Sequence, residues 1–141
     1  MTTGPADERP LKFGVVAVAC RGERFLAIRR GAAVAAPGRV CFPGGHVEPG
    51  ETERDAVARE CREELALVVA PLECVWRNVT AWRTALSWWT VEMPENAVIV
   101  PHPVEVAEVL WLSAEEMMAE PTLLDGNRTF LEAVVGGSIR L

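Results

Sequence analysis

Between Gly45 and Leu67 the chain runs GHVEPGETERDAVARECREELAL, and three glutamates within it constrain the fold more than any other feature. Residues three and four apart on a helix share a face, with Cβ atoms about 5–6 Å apart. Glu60, Glu63 and Glu64 have that spacing. At about 100° per residue, Glu64 lies about 40° to one side of Glu60 and Glu63 about 60° to the other. Ala58, Cys61 and Leu65 gather on a separate apolar flank, so the segment predicts an amphipathic helix. Ionised carboxylates this close repel by on the order of 3 kcal/mol per pair at an effective dielectric of about 20. A hard divalent cation would relieve that repulsion. The plainer alternative is a solvated acidic face neutralised by Arg59 and Arg62.

Phe42-Pro43-Gly44-Gly45 precedes the stretch, and Gly50-Glu51-Thr52 opens the helix, with Thr52 as its cap. Together these residues resemble the Nudix box, G-x5-E-x7-R-E-U-x-E-E-x-G-U, in which U is a bulky apolar residue. Gly45, Glu51, Arg59, Glu60, Glu63, Glu64 and Leu67 match it. Cys61 takes the first apolar position, and Ala66 stands where the family has glycine. A glycine there would end the helix in the left-handed conformation. An alanine would cost about 1 kcal/mol to hold it.

The order of elements along the chain fits the resemblance. Phe13–Ala19 and Arg24–Arg30 are apolar, β-prone runs separated by a turn at Arg21-Gly22-Glu23. A loop over 31–38 leads to a short extended piece, Val40-Cys41-Phe42. Gly44-Gly45 is expected to adopt backbone geometry closed to other residues. Pro71 breaks the chain, and strands are expected over Leu72–Val79, Leu86–Met93 and Glu108–Leu112. Ser113 to Glu116 form a capping box for a short helix. Asp125 or Asn127 could cap a last helix with Phe130, Leu131, Val134 and Val135 inward and Gly136-Gly137 as its stop. The mix is α+β, and the resemblance implies an α/β/α sandwich with a mixed central β-sheet.

Residues 1–10, polar and with two prolines, are expected to be a flexible N-terminal tail ahead of a single domain over 11–141. The net charge of −6 argues against a general nucleic-acid binder. A polyphosphate would be repelled overall, so its site needs cations of its own. The longest apolar run, over 13–20, is too short to span a bilayer. Cys20, Cys41, Cys61 and Cys74 contain no CxxC pair, and His46 and His102 are the only histidines. A zinc site is not expected; free thiols in a reducing cytoplasm are.

The resemblance implies hydrolysis of a nucleoside diphosphate linked to a group X, by attack of water at phosphorus. It implies Glu60 and Glu64 as ligands of Mg²⁺, with Mn²⁺ as an alternative, Glu63 joining directly or through water, and the Gly44 carbonyl as an additional ligand. Arg59 would orient the glutamates by bidentate hydrogen bonds. Glu51 would brace the loop against the helix. The general base is either within the box, Glu63 or Glu60, or outside it, where Glu108 ranks ahead of Glu105.

Arg29, Arg30, Arg77 and Arg83 are candidates for meeting phosphates, with surface cations as the plain alternative. The five tryptophans stand out in a chain with no tyrosine. Trp88 and Trp89 are adjacent on an expected strand and so point to opposite faces. One is expected in the core; the other could stack on a base, cover an apolar patch or form a homodimer contact. The chain lacks the tyrosine of the diadenosine polyphosphate class and the extended array of the NADH class. By elimination the expected substrate is a nucleoside triphosphate or another small nucleotide. Two rivals stand beside it: a silent nucleotide-binding module, and an isopentenyl diphosphate isomerase-like enzyme.

Overall fold

The computed structural model describes residues 10 and 12–141. The tail expected over 1–10 lies, apart from Pro10, outside the described residues. Among the described residues, the strands form two four-stranded sheets. In the first, β1 (Lys12–Val18) runs parallel to β7 (Thr84–Glu92), which pairs antiparallel with β6 (Ala70–Val79). The short β5 (Gly44–His46) closes the other edge of β1 in antiparallel register. This sheet is therefore mixed, as expected, but it is not alone.

The second sheet centres on β3 (Arg24–Arg30). One edge of β3 pairs with β8 (Val106–Ser113), and the other carries β2 (Cys20–Arg21) and β4 (Val40–Cys41) in succession. Side-chain alternation along β1 and β3 divides the core in two. Val15, Ala17, Leu26 and Ile28 pack with Ala56, Val57, Cys61 and Leu65 of α1 (Glu53–Leu65). Val16, Val18, Phe25 and Ala27 pack with Met117 of α2 (Ala114–Met118) and with Phe130 and Leu131 of α3 (Asp125–Val135). Strands buried on both faces explain why β1 is a continuous apolar run. Among the described residues, no helix is long and apolar enough to cross a membrane.

Several details differ from the sequence reading. Pro71 lies inside β6, at a register slip on an edge strand, where a missing N–H is tolerated. Helix α3 has Leu124 at its N-cap with no side-chain bond, and Val135 remains 63% exposed at its last position. Asn127 is used elsewhere, as described below. Gly44 and Gly45 do not need the left-handed region, which Gly22, Gly38, Gly50 and Gly137 occupy. They are small because other groups come close: a Cβ on Gly44 would stand 2.2 Å from the Val15 carbonyl oxygen.

Candidate active site

Thr52 caps α1 as expected, its hydroxyl accepting from the Asp55 amide. At the other end Ala66 holds φ 52°, ψ 34°, so the helix keeps the left-handed stop without the glycine. Arg59, in the middle, ties the helix to the loop before it. Its Nε and Nη2 donate to the two oxygens of Glu51 at 2.7 and 3.0 Å, and Nη2 also reaches the His46 carbonyl at 2.9 Å. Its Nη1 donates to Glu60 at 2.9 Å and Glu63 at 3.0 Å. Glu51 accepts from the Glu48 amide as well. The Arg59 guanidinium and that amide hold its carboxyl down to about 2.

The three glutamates of the stripe do not share one environment. Glu64 lies nearest the apolar flank of the helix and is only 6% exposed. Its Oε1 accepts from the Gly44 amide at 2.9 Å. Burial pushes its carboxyl up to about 8; the charges of Glu60 and Glu105 push the same way, and the Gly44 amide and Arg30 oppose them. Glu60 is also raised, first by burial and then by Glu63 and Glu105, against the pull of Arg59. Its carboxylate packs directly on Gly45, where a Cβ would stand 2.3 Å from Glu60 Cδ. Glu63, on the far side of Glu60, is 54% exposed and turned to Arg59.

Among the described residues, no three His, Cys, Asp or Glu side chains come together as a group that could hold a metal ion. The donor chemistry nevertheless fits a hard divalent cation. Two carboxylates are drawn out of water, and Glu105 adds negative charge. Arg59 supplies a direct positive partner to Glu60, whereas Glu64 is hydrogen-bonded by a neutral amide. Carboxylate oxygens are what magnesium and manganese take.

A cleft of about 720 Å³ is lined by Gly44 and Gly45, the glycines against which the pair packs, while Glu60 and Glu64 themselves do not line it. Arg30 and Cys41 lie along it, and Trp82 stands at its rim, 86% exposed. Asn127 lines it from α3, its Oδ1 accepting from the Phe42 amide at 2.9 Å. Trp82 and Asn127 are candidate site residues that the sequence reading did not single out. An apolar ring in a loop bounded by Thr80 and Thr84 was the available signal for the first. Nothing local marks Asn127, which resembles any helix cap.

Other expected site residues are placed elsewhere. Trp88 is fully buried, stacked on Phe130 at 4.5 Å with its Nε1 bonded to Asn78, so it has no face for a substrate. Trp89 donates to Glu53 and lies under the Arg54 guanidinium, packed against the start of α1. Arg29 is committed to Glu108 at 3.2 Å, Gly38 and Thr122, and it does not line the cleft. Arg77 bonds Glu53 and Ser87. Glu108 shares its face of β8 with Leu110 and Leu112, which pack toward α2 and α3, so the pleat carries it away from α1. Glu105 comes from the turn just before β8, and its charge acts on both Glu60 and Glu64.

A glycine strand set against a capped acidic helix, within two sheets flanked by helices, defines a recognisable class. The model of the NUDIX domain matches residues 9–134, and the chain belongs to that family. The crystal structure of a MutT protein from Methanosarcina mazei Go1 superimposes with a TM-score of 0.79 at 25% identity, covering 93% of this chain and 97% of that one. An NAD-capped RNA hydrolase, NudC, of Stutzerimonas stutzeri is 28% identical over 111 residues, 79% of this chain but 40% of that protein. An isopentenyl-diphosphate Delta-isomerase of Brevibacterium linens is 31% identical over 130 residues, 81% of this chain and 67% of that protein.

Proposed function

We propose that this chain hydrolyses a pyrophosphate bond in a small nucleotide, a nucleoside triphosphate or another nucleoside diphosphate linked to a further group, with the help of a divalent cation. The observation that carries this reading is the Glu60–Glu64 pair. Both carboxylates are withdrawn from water beside Gly44 and Gly45, both are harder to ionise than usual, and the same two glycines line a cleft of about 720 Å³. Keeping both charged there calls for a positive partner. Glu60 and Glu64 would hold magnesium or manganese, with Glu63 and the Gly44 carbonyl as further donors. Such an ion, when bound, neutralises phosphate oxygens and favours attack by water.

The chain's own groups do the rest. Arg59 keeps Glu60 aimed while Glu51 anchors the guanidinium. Arg30 brings positive charge to the cleft beside Glu64. Water adds to one phosphorus as the bridging P–O bond breaks, and its proton passes to a carboxylate. Glu105 is the carboxylate we favour for that proton; Glu60 and Glu63 are the alternatives on the helix. The exposed ring of Trp82 offers a stacking surface for the base. With Asn127 Oδ1 already engaged, the group that residue offers the cleft is its Nδ2 donor.

The four free cysteines suit a reducing cytoplasm. Trp88 and Trp89 are engaged within the chain, so neither is offered as a homodimer contact.

A panel of nucleotides incubated with Mg²⁺, read as release of phosphate or pyrophosphate, tests the reading; no release from any of them sinks it. The likeness to an isomerase gives a second reading its one support. Incubation with isopentenyl diphosphate in deuterated water separates the two, since isomerisation places deuterium on carbon and releases no phosphate.

A further inference from the structure

We propose that His102 is a positioning residue that holds Glu105 toward the Glu60–Glu64 pair. The proposal rests on the reading above, in which Glu105 takes part in hydrolysis. The turn over 102–105 is bound on every side. The His102 amide donates to the Glu64 carbonyl at 2.7 Å, in the last turn of α1. The His102 carbonyl accepts from the Val106 amide at 3.1 Å, where β8 begins. From the opposite side the Gly31 amide donates to the Glu105 carbonyl at 2.9 Å. A Cβ on Gly31 would stand 1.9 Å from the Val104 carbonyl oxygen, so the turn is pressed onto the end of β3.

Inside this frame the imidazole fills one specific need. Its Nδ1 accepts from both the Val104 and Glu105 amides, each at 3.2 Å. Two N–H groups converging on one lone pair require Nδ1 to be bare, with the ring proton on Nε2. The same residue thus grips Glu64 through its main chain and Glu105 through its ring. That linkage sets where one carboxylate stands relative to the other. A side chain that cannot accept leaves both amides without their partner and loosens the Glu105 main chain, which then keeps only the bond from the Gly31 amide to its carbonyl. Asparagine can take over, because its side-chain oxygen accepts from amides two and three residues on.

The experiment compares wild type with His102→Ala, His102→Asn, Glu105→Gln and the double variant His102→Ala/Glu105→Gln, measuring kcat and KM for the best nucleotide and hydrogen exchange of the Val104 and Glu105 amides. Glu105→Gln is expected to lower kcat about 100-fold. His102→Ala is expected to lower kcat about tenfold with KM nearly unchanged, and His102→Asn to restore most of it. The double variant should be no slower than Glu105→Gln alone. Both amides should exchange faster in His102→Ala than in wild type or His102→Asn. A multiplicative loss in the double variant, or wild-type kcat in His102→Ala, overturns the positioning role. Full activity in Glu105→Gln overturns instead the reading on which it rests. If His102→Ala does not fold, the wild-type ring still decides: nitrogen–proton correlations placing the proton on Nε2 support the proposal, and a proton on Nδ1 overturns it.

Discussion

The Glu60 carboxylate rests on the bare α-carbon of Gly45, so close that a methyl group there would stand 2.3 Å from Glu60 Cδ. The obstacle is the end of a flexible side chain, which can swing away. At Gly44 the obstacle is the Val15 carbonyl oxygen at 2.2 Å, which belongs to the β1 backbone and cannot. Gly45→Ala is therefore expected to change stability by no more than about 1 kcal/mol while lowering turnover about tenfold or more, because a shift of about 1 Å in a reacting constellation is costly. Gly44→Ala is expected to lose about 1–3 kcal/mol by parting β5 from β1. Thermal denaturation beside turnover measurements distinguishes the two.

Ala66 holds a left-handed conformation at φ 52° without being glycine. Ala66→Gly is expected to stabilise the fold by up to about 1 kcal/mol, less what glycine adds to the freedom of the unfolded chain. It removes no group from the site, so turnover should be unchanged. Urea denaturation measures the gain; a loss of stability would contradict the strain argument.

Burial pushes the Cys41 thiol up to about 11 and the Cys61 thiol up to about 12. Neither forms an appreciable thiolate near neutrality, and neither is open to solvent. A thiol-reactive dye is expected to label exposed Cys20 in the native protein and to reach Cys41 and Cys61 only on unfolding. Mass mapping of labelled peptides checks this, and fast labelling of Cys61 would mean that the α1 core opens.

Trp82 is 86% exposed at the rim of the cleft, so its removal costs the fold little. Stacking of a base on an aromatic ring is worth about 1–3 kcal/mol. Trp82→Ala is expected to raise KM about tenfold or more with kcat and melting temperature nearly unchanged. An unaltered KM would move the base elsewhere in the cleft.

The box helix was legible in the sequence because spacing, cap and apolar flank all agree: Thr52 starts it, Cys61 and Leu65 face the core, and Ala66 stops it. The continuous apolar run of β1 likewise announced a strand covered on both faces. What stayed hidden depends on contacts made at long range. The need for glycine at 44 and 45 comes from Val15 and Glu60, which only the folded chain brings near. The resemblance ranks Glu108, three residues before Trp111, ahead of Glu105. The faces of β8 are set by its pairing with β3, including a register shift between Arg29 and Arg30 that skips Ala107. Trp88 and Trp89 pointed to opposite faces as expected, but each face met a partner, Phe130 on one side and the start of α1 on the other.

Everything proposed for the site depends on Glu64 being a buried carboxylate that a cation completes. Its pKa is raised from 4.5 to about 8, so without a cation its contribution to stability is greatest below 4.5 and is lost as pH rises through 8. Metal-free Glu64→Gln, which carries no such charge, should lack that component of the loss. The decisive measurement is turnover of Glu64→Gln with Mg²⁺ and the best nucleotide, beside its melting temperature. A fall of at least about 100-fold in kcat is expected, with the fold retained. Wild-type turnover in that variant would contradict it.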